Sequence, residues 1–356
     1  MATAQGLQKL KAVYPFLQAP VIVSAPMRIF AGPELAVATS RAGGLGFIGP
    51  GVHPTDLEPK LEKVHDLLKE TPVTEQSEML PVGVGFQLFD GDLEVAAAAV
   101  RKYKPIAAWL FVPANGQHDI DRWASKLRRE SPGTQIWLQI GSLPDAIVAA
   151  SSKHAPDVMV VQGIDAGGHG LKKGAGILSL LPEVADHLRR MGFDIPLFGA
   201  GGIADGRGVA AVLATGVAAG AVMGTRFLAS KEAEVKKGYQ EALLGMANGG
   251  HTTVRTTLFD RLQGRDDWPE QYDGRAMINA SVMEDEVGMP LEENKLLFEE
   301  ALKGGLPRWG FEGRLTAYMG TAVGLVRTVD SAQDIINQAR NQAKESLRQG
   351  LENLVD

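Results

Sequence analysis

The chain has 356 residues, of which 45% are hydrophobic and 22% are charged, and this composition is typical of a folded globular protein. It contains no cysteine, which excludes disulfides, thiolate nucleophiles, iron–sulfur clusters and cysteine-bound zinc. The formal net charge of −6 does not favour nucleic acid as a partner. Because the sequence has neither a signal-peptide pattern nor an apolar run long enough to span a bilayer, we expect a cytoplasmic protein with no membrane partner.

Short apolar runs alternate with amphipathic stretches along the first two thirds of the chain. The runs are continuously apolar, which is typical of strands buried on both faces of a parallel sheet. Eight strand–helix units predict an α/β protein with a (β/α)₈ TIM barrel, and a doubly wound sheet is the alternative. The predicted strands are residues 21–27, 45–51, 80–89, 106–114, 135–142, 157–165, 195–203 and 219–229. The predicted helices are residues 33–42, 54–70, 92–102, 119–130, 144–153, 177–190, 206–215 and 231–246.

The repeating pattern ends after residue 246. Residues 247–312 contain polar turns, helical patterns and stretches rich in glycine and proline, with little regular periodicity. We interpret this segment as a smaller helical cap or lid, because it is too short and irregular for a core comparable to that of a barrel. The barrel would then comprise residues 1–246 and 313–356. The apolar spacing in residues 331–356 predicts a helix that packs on the barrel.

The seventh and eighth predicted strands both end in glycine-rich segments. Gly201 and Gly202 lie at the end of the seventh run, and Gly224 and Thr225 lie near the end of the eighth. Glycines let backbone N–H groups approach an anion closely, and a helix N-terminus adds a favourable dipole. Because the loops after strands seven and eight are the usual phosphate site of this fold, they predict a phosphate-binding site.

A histidine among glycines follows the sixth predicted strand, in the sequence Ala166, Gly167, Gly168, His169. This position lies at the end of a barrel where active sites form. Histidine is the side chain best suited to accept a proton near neutral pH, so His169 is the candidate catalytic base. No two histidines have the His-x-x-x-His spacing, and we expect no metal site.

Several other polar or strand-ending residues fall at the same end of the predicted barrel. Pro26 ends the first strand, since proline cannot donate a ladder hydrogen bond, and Met27 follows it. Gln87, Gln139 and Gln162 lie in or just after apolar runs, where a neutral amide must find a hydrogen-bond partner. Together the three amides would suit a planar polar ligand, although each could equally bond the backbone.

These motifs together resemble the nitronate monooxygenase family, formerly called 2-nitropropane dioxygenases, whose members are FMN-dependent (β/α)₈ barrels. The resemblance covers nearly the whole chain, and the cap segment at residues 268–275 resembles the fungal-type members. The matching motifs are APM at residues 25–27, GGLG at 43–46, AGGH at 166–169, GAGGI at 199–203, MGTRF at 223–227 and YMG at 318–320.

The resemblance implies FMN as the cofactor and His169 as the catalytic base. Two positions depart from the family pattern, because many relatives carry asparagine near Gln87 and a cationic side chain near Gln139. A cation there would stabilise the reduced, anionic flavin, and a glutamine would do so less well. The implied cofactor-binding residues are Pro26, Met27, Gln87, Gln139, Gln162, Ala166, Gly167, Gly168, Gly201, Gly202, Gly224 and Thr225.

The implied activity is the oxidation of alkyl nitronates by dioxygen to carbonyl compounds and nitrite. His169 would take a proton from a neutral nitroalkane or, when protonated, hold the nitronate. The nearest alternative is an NAD(P)H-dependent flavin reductase of quinones or enoyl thioesters on the same scaffold. No Gly-x-Gly-x-x-Gly dinucleotide fingerprint follows the first predicted strand, which weakly disfavours that alternative, and His169 argues against a non-catalytic flavin-binding barrel. The expected partners are a small nitronate or nitroalkane and dioxygen, and the sequence leaves open whether the chain forms a homo-oligomer.

Overall fold

The computed structural model describes residues 2–51, 53–73 and 78–354, and it confirms the (β/α)₈ barrel. Eight parallel strands close into a barrel, because the first strand pairs with both the second and the last. In chain order the strands are β1 (Ile22–Ser24), β2 (Leu45–Ile48), β3 (Leu80–Gln87), β4 (Pro105–Phe111), β5 (Gln135–Ile140), β6 (Val158–Gln162), β7 (Gly168–Leu171), β8 (Leu197–Ala200), β9 (Gly220–Met223), β10 (Thr253–Thr256) and β11 (Tyr272–Met277). The barrel order is β1-β2-β3-β4-β5-β6-β8-β9.

Helices follow the barrel strands and surround the barrel. Polar side chains cap several helices; Asp92, Ser142 and Asp205, for example, accept hydrogen bonds from the first free backbone N–H groups. The helices are α1 (Ala2–Val13), α2 (Pro33–Arg41), α3 (Leu57–Glu70), α4 (Leu93–Tyr103), α5 (Gln117–Glu130), α6 (Leu143–Ala150), α7 (Ile177–Arg190), α8 (Gly206–Ala214), α9 (Thr225–Leu228), α10 (Lys237–Leu244), α11 (Gly249–Thr252), α12 (Leu258–Leu262), α13 (Ala280–Glu286), α14 (Leu291–Lys303) and α15 (Ala332–Glu352), with 3-10 helices at Pro54–Asp56 and Thr321–Leu325.

The last barrel unit differs from the prediction made from the sequence. The strand expected over residues 219–229 ends at Met223, and residues 225–228 form the short helix α9. The helix expected over residues 231–246 is shorter and spans Lys237–Leu244. Phe227 and Leu228 are buried in a helical turn, and a short apolar run cannot distinguish a buried strand from a buried helix.

Aromatic side chains fill the interior of the barrel. The Trp137 ring centroid lies 4.8 Å from that of Phe198 and 5.2 Å from that of Phe47, and all three side chains are fully buried. Trp137 Nε1–H donates to the hydroxyl of Tyr14 at 2.8 Å, so the residue that follows α1 anchors this end of the chain to the core. The interior is therefore a packed core, and ligands are confined to the strand ends.

The helix predicted over residues 331–356 is α15, and its first half packs on the barrel. Ile336 and Ala343 are buried as the spacing predicts, and Arg340 donates to the carbonyls of Ala42 and Gly43. Toward the end the apolar face is solvent-exposed, since Leu351 is 65% exposed. Residues 355 and 356 lie outside the described residues.

Residues 247–312 contain strands as well as the expected helices. The antiparallel pair β10–β11 is extended by β7, which lies between β6 and α7 in the chain. The prediction of a helical cap missed these strands because the β10 sequence TVRT and the β11 sequence YDGRAM carry no clear two-residue alternation. The sheet thus joins the segment to the active end of the barrel.

Within the described ranges, no helix is long and apolar enough to cross a membrane. The same part of the chain has no group of three or more histidine, aspartate or glutamate side chains that could hold a metal ion.

Candidate active site

A cavity of about 620 Å³ lies where the barrel strands end, and its volume is within the usual range for small-molecule sites. Residues from the barrel loops, from the segment 247–312 and from residues 315–322 line it together. Every site residue predicted from the sequence lines this one cavity: Pro26, Met27, Gln87, Gln139, Gln162, Ala166, Gly167, Gly168, His169, Gly201, Gly202, Gly224 and Thr225.

The loop after β8 requires glycine at two successive positions. Gly201 and Gly202 have φ angles of +96° and +74°, a conformation that other residues adopt only with strain. A Cβ on Gly201 would also lie 2.7 Å from the carbonyl oxygen of Gly163. The loop leads into α8, whose N-terminus is capped by Asp205, so its backbone N–H groups lie beside a helix dipole.

The loop that contains Met319 and Gly320 packs against the loop after β9 and the loop after β6. Gly320 N–H donates to Thr225 Oγ1 at 3.0 Å, and a Cβ on Gly167 would clash with the backbone of Met319 and Gly320. Because the Thr225 oxygen accepts this bond, its hydroxyl hydrogen stays available to donate. In the described part of the chain, the backbone N–H groups of Gly202 and Thr225 donate to no protein acceptor. The three loops can therefore present several donors to an anion.

Two of the three predicted glutamines have oriented side chains. Trp109 Nε1–H donates to Gln139 Oε1 at 3.1 Å, which leaves the amide N–H groups of Gln139 as donors. Gln162 Nε2–H donates to the backbone carbonyl of His169 at 3.3 Å and ties the end of β6 to β7. Gln87 lines the cavity at the end of β3. The three glutamine amides thus lie at one cavity, as expected from the sequence. Two of them, Gln139 and Gln162, also form hydrogen bonds with other protein groups.

His169 lies on β7 and its side chain is 12% exposed. Its Nε2 atom lies 3.0 Å from both carboxylate oxygens of Asp260, a buried residue of α12. Its imidazole stacks on Trp268 with ring centroids 3.6 Å apart and planes inclined by 3°. These contacts hold both the position and the plane of the histidine ring.

Tyr318 completes the surroundings of His169. Its ring centroid lies 5.3 Å from that of His169, and its hydroxyl donates to Asp260 Oδ1 at 3.4 Å. Burial, and next the negative charge of Asp260, raise the pKa of Tyr318 well above its ordinary value. The phenol therefore stays protonated at neutral pH and can donate to the carboxylate.

An arginine links the barrel to the residues around His169. Arg265 donates to Asp90 Oδ2 at 2.8 Å, and its guanidinium lies 5.8 Å from the Trp268 ring centroid. The ring of Phe89, next to Asp90 on the barrel, lies 4.7 Å from Trp268. These contacts position Trp268 against the histidine.

Sequence reasoning missed three residues around His169: Asp260, Trp268 and Tyr318. Trp268 and Tyr318 fall within the segments 268–275 and 318–320, which carry the family resemblance but imply no role for these two side chains. Asp260 carries no local signal, because an acidic residue in a five-residue helix is ordinary.

Comparisons with known proteins show which sequences and structures this chain resembles. A family model described as nitronate monooxygenase matches residues 126–338. Nitronate monooxygenase npaC of Metarhizium robertsii is 48% identical over 340 residues, which are 95% of this chain and 94% of that protein. A nitronate monooxygenase of Neurospora crassa is 35% identical over 367 aligned positions, covering 96% of this chain and 94% of that protein. The structure of FabK from Thermotoga maritima superposes with a TM-score of 0.73 at 24% identity, covers 98% of this chain and 99% of that one, and supports the fold alone.

Proposed function

Because this chain belongs to the nitronate monooxygenase family, we propose that it is an FMN-dependent oxidoreductase that oxidises alkyl nitronates with dioxygen. The products would be a carbonyl compound and nitrite. The observation that carries the proposal is that His169 and the glycine loops after β8 and β9 line one cavity. A candidate proton acceptor and a candidate phosphate site are thus within reach of one ligand.

The residues present fit FMN. Gly202 and Thr225 offer unbonded backbone N–H groups, and the Thr225 hydroxyl adds a donor, so this part of the cavity would hold the phosphate. Pro26, Met27 and the amide of Gln139 line the same cavity and would contact the ring system. The chemistry that FMN supplies when bound is electron transfer from the substrate to dioxygen.

His169 would handle the proton of the substrate. A neutral nitroalkane must lose a carbon-bound proton before it can be oxidised, and a positioned histidine can accept it. An already ionised nitronate carries a negative charge, which the protonated imidazole would bind. The proposal therefore includes neutral nitroalkanes as substrates alongside nitronates.

We also propose that residues 247–312 form a cap on the barrel of residues 1–246 and 313–356 and do not fold as a separate domain. The pairing of β7 with β11 supports this, because one sheet contains strands from both parts of the chain. Calorimetry should then show one cooperative unfolding transition. Two separate transitions would contradict the proposal.

The test of the activity is an aerobic assay with propyl nitronate and, separately, with NADH. We expect oxygen consumption and nitrite release with propyl nitronate. NADH oxidation coupled to a quinone or an enoyl thioester, without nitrite release from the nitronate, would contradict the proposal and favour the reductase. The cytoplasmic location stays a prediction, as does a homo-oligomer, which size-exclusion chromatography would test.

A further inference from the structure

We infer that Asp260 is a positioning residue that determines which nitrogen of His169 exchanges a proton with the substrate. The Asp260 carboxylate accepts a hydrogen bond from Nε2–H. Nδ1 is then the atom that takes the substrate proton or faces a bound nitronate. This inference rests on the proposed function, in which His169 acts on a nitroalkane or nitronate. Nothing in the local sequence around Asp260 predicts such a role.

The hydrogen-bond geometry shows which ring nitrogen of His169 carries the hydrogen. A carboxylate only accepts hydrogen bonds, so the hydrogen between His169 Nε2 and the two Asp260 oxygens, each 3.0 Å away, belongs to Nε2. In the described part of the chain, Nδ1 has no hydrogen-bond partner, while His169 itself lines the cavity. The neutral ring then has its lone pair on Nδ1, which makes that atom the base.

The charges around His169 and Asp260 favour proton transfer from the substrate to Nδ1 of His169. Among the ion pairs of the described residues, Asp260 occurs only with His169, and both side chains are largely buried. When Nδ1 takes a proton, the imidazolium forms beside a buried carboxylate in a weakly polarisable environment, and Asp260 stabilises the new charge. The Tyr318 hydroxyl, protonated as described above, donates to Oδ1 of the same carboxylate.

Other charged groups near His169 either point away from it or pair with one another. Asp273 and Arg275 flank Gly274, which lies opposite His169 on β11, so their side chains point to the other face of the sheet. Asp273 pairs with Arg255 of β10 at 2.6 Å. Arg265 pairs with Asp90 on the barrel. Asp260 is thus the charged group that contacts the imidazole.

The segment 247–312 therefore supplies part of the proton-transfer site. Asp260 lies on α12 and Trp268 follows it, whereas His169 lies between β6 and α7. The parallel stack of Trp268 on the imidazole fixes the ring plane, and the face of an indole also attracts a cation. A histidine without these two contacts could turn and exchange its tautomers.

The test compares the FMN-loaded wild type with Asp260→Asn, and with Asp266→Asn as a matched control. Asp266 is exposed in the same segment and does not line the cavity. In Asp260→Asn, we expect turnover of neutral nitroethane to fall about 10²-fold, toward the lower end of what a positioned base contributes. The rise of that rate with pH should begin at lower pH, because loss of the negative charge disfavours the imidazolium. Asp266→Asn should change neither.

A second measurement does not depend on turnover. Long-range proton–nitrogen NMR spectra of histidine-labelled protein, assigned with His169→Asn, report which ring nitrogen carries the hydrogen. We expect the Nε2–H form in the wild type and a mixture of tautomers in Asp260→Asn.

Two results would overturn the inference: an Nδ1–H tautomer in the wild type, or an unchanged rate and pH profile in Asp260→Asn. Either result would still be compatible with the proposed oxidation of nitronates. A wild type that oxidises no nitronate would instead contradict the proposed function, and the NMR spectra would still decide the role of Asp260.

Discussion

Trp109 Nε1–H donates to Gln139 Oε1 at 3.1 Å across the neighbouring strands β4 and β5. Trp109 is 2% exposed and packs against Phe47 and Trp137 in the barrel core, so its indole ring is held in one position. The bond therefore fixes the Gln139 amide with its N–H groups free to donate. The Gln139 side chain thus presents a neutral donor to the cavity.

Gln139→Leu should lower the stability of the protein. It leaves the buried Trp109 N–H without an acceptor, which costs about 1–3 kcal/mol. Urea unfolding monitored by tryptophan fluorescence measures the change. The double variant with Trp109→Phe should lose less than the sum of the single changes, because the orphaned donor is gone. Strict additivity would contradict a coupling between the two side chains.

Gly201→Asp should abolish FMN retention. A carboxylate would stand beside the phosphate site, and the backbone disfavours any side chain there, since φ is +96° and a Cβ would lie 2.7 Å from the Gly163 carbonyl oxygen. The measurement is the ratio of flavin to protein after desalting. Gly192→Asp is the matched control, since Gly192 has a φ of +84° and lies outside the cavity. We expect one non-covalent FMN per chain in the wild type and in the control, released by heat or acid. Release of FAD, or retention of FMN by Gly201→Asp, would contradict the phosphate site.

His169→Asn should keep the flavin but lose turnover of neutral nitroalkanes far more than turnover of preformed nitronates. Only the neutral substrate must surrender a carbon-bound proton, and a base contributes about 10²–10⁴-fold to that step. Steady-state rates with nitroethane and ethyl nitronate measure the difference. Equal losses on both substrates would contradict proton abstraction. Wild-type turnover of nitronates alone would reassign His169 to anion binding.

Stability should decline in alkaline solution because of buried tyrosines. Burial raises the pKa of Tyr272 to about 12, and it also raises the pKa of Tyr14, Tyr239 and Tyr318 above the ordinary value. The unfolded chain would lose these protons near pH ~10, so unfolding releases protons above that pH. The melting temperature should therefore not respond to these groups below about pH 10 and should fall as the pH rises toward about 12.

Melting temperature and tyrosinate absorbance, recorded over the same pH series, check the alkaline decline. Tyr272→Phe should reduce its slope, because one raised pKa is removed. Ionisation of all the tyrosines near pH 10 in protein that stays folded would contradict the expectation.

The barrel and the position of its site were predictable because their signals are local. Strands buried on both faces are continuously apolar, and glycine marks loops where a backbone must turn sharply or approach a ligand. Gly201 and Gly202 are an example, since both occupy the left-handed region at the end of β8. The same local reasoning placed His169 at the active end of the barrel.

Only the tertiary structure decided what surrounds that histidine. Asp260 lies 91 residues from His169 in sequence, and the two meet because β7 pairs with β11 and α12 packs beside that sheet. Neither β10 nor β11 has the apolar–polar alternation of a half-buried strand, and β11 lies between β10 and the distant strand β7. A sequence pattern reports the periodicity of one element, whereas the partner of a side chain is set by which elements pack together. The barrel could thus be predicted from repeated local patterns, and the contact between His169 and Asp260 could not.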